Sequence, residues 1–138
     1  MDAIGVVGKL QEIAASGDFL AQSSKLVDEW SKSTDAFEAV EPILMFMESN
    51  PGIEFGSPGP LVHFIERFHQ RGYEEKLLES IERNPTRHTV WMLNRLINGT
   101  SDPSHKQRLV EALRGVRRPG VDSRAFDAAT RFLERLSL

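Results

Sequence analysis

Apolar residues return every three or four positions along nearly the whole chain, and no stretch alternates apolar with polar long enough to read as a strand. That period restricts the fold to helices packed on helices. Val6, Val7, Leu10, Ile13 and Ala14 form a first stripe. Phe19, Leu20, Leu26, Val27 and Trp30 form a second, opened by Asp18 as a cap after Gly17. A third helix is expected from Ser33 or Thr34, carrying Phe37, Val40, Leu44 and Met47. Pro42 falls inside it, and because proline lacks a backbone donor and crowds the preceding turn, a kink or a break is expected there.

The remaining boundaries are written in capping residues. Asn50-Pro51-Gly52 ends the third helix, and Gly56-Ser57-Pro58 opens the next, with Ser57 as cap and Pro58 at the first helical position. Leu61, Phe64, Ile65 and Phe68 give that helix its apolar face, and Gly72 closes it. Leu77, Leu78 and Ile81 line a fifth helix that stops at Asn84-Pro85. Val90, Trp91, Leu93, Leu96 and Ile97 sit in a sixth, between Thr86 and Asn98-Gly99. Asp102-Pro103 starts a seventh with Leu109, Val110 and Leu113, and Asp122 caps a last one bearing Phe126, Ala129, Phe132, Leu133 and Leu136. The expected fold is all-α, with about eight short helices.

Leu44, Leu78 and Val110 occupy comparable places in alternate helices, 34 and 32 residues apart. Helix pairs recurring at that interval are the pattern of a stacked α-solenoid of HEAT-like antiparallel pairs. An irregular helical bundle is the alternative. On the stacked reading, residues 1–138 form one domain: a capping hairpin over 1–32, then three helix pairs over 33–138. A chain of 138 residues is long enough for one core and short for two.

Composition narrows the function classes. With no Cys, a disulfide scaffold, a thiolate zinc site and thiol catalysis are excluded. No apolar run approaches the roughly 20 residues that span a bilayer. The N-terminus, with Asp2 and one Lys among its first dozen residues, does not fit a secretory signal, so a soluble, cytoplasmic protein is expected. The net charge of −3 conceals a division. Residues 1–56 carry ten acids against three bases, a balance of −7, and residues 57–138 carry ten acids against fourteen bases, a balance of +4. An acidic surface attracts basic partners and repels nucleic acid, acting on encounter rate more than on affinity.

No catalytic set converges. Glu66 and His69 have the Glu-x-x-His spacing of carboxylate metal sites in helix bundles, but no second copy occurs. His63 and His69 lie six residues apart, about 240° round a helix, and do not share an ion. Gly52, Gly56 and Gly59 are interleaved with prolines that remove the donors a phosphate cradle needs. Arg114, Arg117 and Arg118 precede Pro119-Gly120 and read as a helix interruption rather than a nucleic-acid site. Two features look like contact surface. Phe55 sits on a proline-rich loop, either tucked beneath it or displayed as a preorganised anchor. Trp91, Asn94, Arg95 and Asn98 make one stripe on the sixth helix, and Trp and Arg are enriched at binding hot spots, although a lone Trp is more often core.

The run Asn50-Pro51-Gly52-Ile53-Glu54-Phe55-Gly56-Ser57-Pro58-Gly59-Pro60-Leu61-Val62-His63, with Asn84-Pro85-Thr86 and Trp91-Met92-Leu93-Asn94-Arg95-Leu96-Ile97-Asn98, resembles bacterial immunity proteins encoded beside polymorphic or contact-dependent growth-inhibition toxins. The resemblance covers roughly residues 36–136. It implies a helical protein that binds the C-terminal domain of a cognate toxin and occludes its active site; many such toxins are basic nucleases. Under that reading Asp28, Glu29, Asp35, Glu38, Glu41 and Glu48 steer the partner, and Phe55 with the sixth-helix stripe anchors it. No catalytic residue, metal, cofactor, nucleic acid or membrane is expected to take part. The alternative is a HEAT-like adaptor that binds a cytoplasmic protein or peptide.

Overall fold

Asp2 places its carboxylate on the Gly5 amide at 2.7 Å and so caps α1 (Ala3–Ala14), the first of eight α-helices in a computed structural model that describes residues 1–136. The others are α2 (Phe19–Ser31), α3 (Val40–Ser49), α4 (Gly59–Glu66), α5 (Tyr73–Arg83), α6 (Arg87–Asn98), α7 (Pro103–Gly115) and α8 (Ser123–Leu136). No strand occurs among the described residues. The protein is all-α, as its periodicity requires.

The expected break at Pro42 is present and displaced upstream. A 3₁₀ turn over Ala36–Ala39 leads into α3, which leaves Pro42 in the first turn of a new helix. There the missing donor would have had no intrahelical partner, so the proline begins the helix rather than kinking it. The start of α4 also differs from expectation. The helix opens at Gly59, with Pro58 rather than Ser57 at the N-cap, and Pro60 stands inside the first turn. It ends at Glu66 rather than near Gly72, and a string of turns fills the interval, so Phe68 packs from outside the helix. Asp18 holds the N-cap position of α2 without a side-chain capping bond.

The chain divides into two compact units, Met1–Lys76 and the residues from Leu77 on. In the first, α1 packs on α3 and α2 on α4. Two aromatic clusters fill it. Phe19, Phe46 and Phe55 meet at centroid distances of 5.5–6.2 Å, and Trp30, Phe64, Phe68 and Phe37 follow one another at 5.3–6.3 Å. Phe19 and Phe46 stack and most of the other pairs meet edge-on, and both geometries add to the burial of large apolar areas.

In the second unit α6, α7 and α8 pack on one another. Leu93, Ile97, Leu109, Leu113 and Val116 are fully buried there. The stripe expected on α8 holds only at Ala129: the buried face is Ala125, Ala128 and Ala129, while Phe126 is exposed and Phe132, Leu133 and Leu136 are half-buried. Small side chains fill that face, and the larger residues lie beside it. Leu44 is fully buried but Leu78 and Val110 are half-buried, so the three spaced positions are not equivalent in the packing. The irregular-bundle alternative describes the helix arrangement within each unit.

Candidate functional site

The first unit contains thirteen acids and six bases, the second seven acids and eleven bases. The charge division seen along the sequence therefore coincides with the structural one, at −7 and +4.

Within the first unit, three of the acids line two grooves. One, of about 430 Å³, is lined by Ala3, Phe37, Glu38, Glu41, Pro42 and Met45. Glu38 is exposed, and Met45 offers an apolar surface that is 45% exposed. Glu41 is half-buried and accepts a hydrogen bond from Lys76 Nζ at 2.6 Å, so its charge is offset within the unit. Asp35 lies close by, paired with the Met1 ammonium at 2.5 Å and also accepting from the Ser33 hydroxyl. The hydrogen bond from the ammonium, then that from Ser33, holds the Asp35 carboxyl at about 2, and Asp35 in turn raises the pKa of the ammonium. Two of the six expected steering acids are thus already paired. A third, Glu48, is buried, and its charge is not presented to a partner.

The second groove of this unit, of about 800 Å³, runs between α2 and α4 beside the glycine- and proline-rich loop. Asp28 lines it with Leu20, Val27, His63, Phe64 and Arg67. Arg67 donates to the Ser31 hydroxyl at 2.6 Å and ties the wall of the groove to α2. Glu29, one residue on from Asp28, is exposed.

The anchoring expectations divide. Phe55 is 1% exposed and packs between Phe19 and Phe46, so it holds its loop to the core and presents nothing to a partner. The α6 stripe keeps part of its surface: Trp91, Asn94 and Arg95 are half-buried and Asn98 is exposed. Arg95 lies over the Trp91 ring at 5.2 Å, and His88 meets the same ring edge-on at 6.4 Å. These residues belong to the second unit and the acidic grooves to the first.

Glu66 and His69 each have another partner. His69 turns to Glu74, with Nε2 3.4 Å from Oε1, and the same oxygen accepts from the Gln70 amide at 2.7 Å. Glu66 lies 4.0 Å from His63. Among the described residues no group of three or more His, Asp or Glu could hold a metal ion, and no helix is long and apolar enough to cross a membrane.

Two surface residues escaped the sequence reading. Met45 and Ile4, the latter 87% exposed, are apolar but lie off the stripes assigned to their helices. That displacement was the available signal. Compared with protein-family models, curated proteins and solved structures, the chain matches none.

Proposed function

We propose that this protein is an immunity protein, which binds the C-terminal domain of a cognate toxin and covers its active site while transforming no substrate itself. One observation carries the reading: the acidic excess is confined to one structural unit, where an exposed acid, Glu38, borders a groove with apolar surface. The sequence resemblance over residues 36–136 agrees with it.

The groove of Glu38 and Met45 supplies two different contributions. Exposed carboxylates accelerate encounter with a basic domain, such as a nuclease, but add little affinity. Affinity comes from desolvating apolar surface at the centre of a contact, which Met45 can provide as an adaptable side chain. Asp28 and Glu29 extend the acidic character along α2, and the α6 stripe offers a second contact of Trp and Arg.

The direct test is co-expression with the C-terminal domain of the effector encoded by the neighbouring gene. Cells making that domain should survive when this chain is present, and the two proteins should co-purify. Turnover of a substrate by the purified chain alone, or toxicity unaffected by the chain, would overturn the reading.

A further inference from the structure

The second unit carries a groove of opposite character. Its volume is about 810 Å³, and α7 and α8 form its sides. On α7, Lys106, Val110 and Arg114 follow at steps of four, which places them on one helical face, and Arg117 lines the groove from just beyond the helix end. On α8, Leu133 and Leu136 are one turn apart and complete the floor. Both leucines are left half-buried because α8 turns its alanines to the core. The unit is rich in bases, and the three cations of this groove stand exposed along its rim. Arg114 is paired with Glu111 and Arg117 lies over the Phe126 ring at 5.9 Å, so both heads are held in place.

We propose that this groove binds an acidic amphipathic helix of a partner protein. The apolar face of that helix would rest on Val110, Leu133 and Leu136, with its carboxylates against Lys106 at one end and Arg114 and Arg117 at the other. The spread of charge selects this occupant. At 1.5 Å per residue, Lys106 and Arg114 are separated by roughly 12 Å along α7, more than two helical turns, with Arg117 beyond the helix end. A fatty acid or other single-headed anion engages only one end of the groove. A nucleic-acid backbone brings no apolar group for the floor. A helix of about three turns carries acids at both ends and an apolar stripe between them, the pattern of helix-in-groove recognition. The proposal stands on the second unit alone and does not depend on the toxin reading.

The test uses the full chain and a fluorescently labelled peptide of about 14 residues, with Leu at helical i, i+4, i+7 and i+11 positions and Glu beside them. Fluorescence anisotropy should show binding that weakens with salt. The Lys106→Glu/Arg114→Glu protein should bind roughly tenfold more weakly. Lys106→Ala, a milder change, should weaken binding in the same direction, and circular dichroism should show both proteins folded. A peptide with Lys in place of Glu, and one of equal composition with scattered leucines, should not bind. Equal binding of the scattered peptide, or binding within about twofold by the double variant, overturns the proposal. So does binding to phosphatidylglycerol vesicles without binding to the peptide. Self-association of the chain that the double variant abolishes would assign the groove to a second copy and overturn it likewise.

Discussion

Gly72 is held where no other residue fits. Its φ is +107°, and a Cβ there would lie 2.8 Å from Phe37 Cζ, in the ring that Phe68 also packs against. Gly72→Ala should cost more than about 1 kcal/mol, seen as a lower urea midpoint at unchanged slope. Asp35 makes a prediction about pH. Its folded pKa, about 2, is below the ordinary 3.8, so its stabilisation is present above pH 4 and is lost as pH falls toward 2. The Met1 ammonium has the opposite sign: its pKa is raised above 8.0, so its contribution is complete below that pH and fades as alkali deprotonates the folded state. Unfolding midpoints measured across pH should therefore decline at both extremes, and Asp35→Asn should flatten both declines. At this scale a sequence reveals chemistry and conceals direction. An exposed Glu38 and a buried Glu48 look alike in the chain, and nothing local shows that Lys76, 35 residues away, pairs with Glu41.

Helix boundaries were legible where side chains cap the backbone. Thr86 and Thr89 form a reciprocal capping box at α6, and Asp102 accepts from the Ser104 and His105 amides at α7. Asp18 occupies the same kind of position at α2 but makes no such bond. Asp102→Ala should then lower the unfolding temperature measurably, and Asp18→Ala, which loses only a charge near a helix start, much less. Thermal unfolding of the two variants in parallel measures the difference. Helix faces were less legible. The stripe expected on α8 was Phe126, Ala129, Phe132, Leu133 and Leu136; of these only Ala129 is buried, and the helix sets Ala125 and Ala128 beside it. Alanine contributes little to a hydrophobic stripe, yet it allows the closest approach of two helices, and only the neighbouring helix reveals that choice.

For the molecule as a whole, opposite charge resides in two separately packed units. If the acidic unit steers a basic toxin domain, Glu29→Lys with Glu38→Lys should slow association roughly tenfold at low ionic strength. The difference should vanish in high salt, where exposed charges are screened; stopped-flow association rates measure both. The acids themselves were readable one by one. Their sorting into exposed, paired and buried was not, and neither was the apolar Met45 beside Glu38. The all-helical class, most helix limits and the division of charge were determined by the sequence alone, because periodicity, capping and composition act over a few residues or need no geometry at all. Which face each helix buries, which acids keep their charge available, and where leucines are left to line a groove were decided by tertiary structure. Those outcomes depend on residues tens of positions apart competing for the same space.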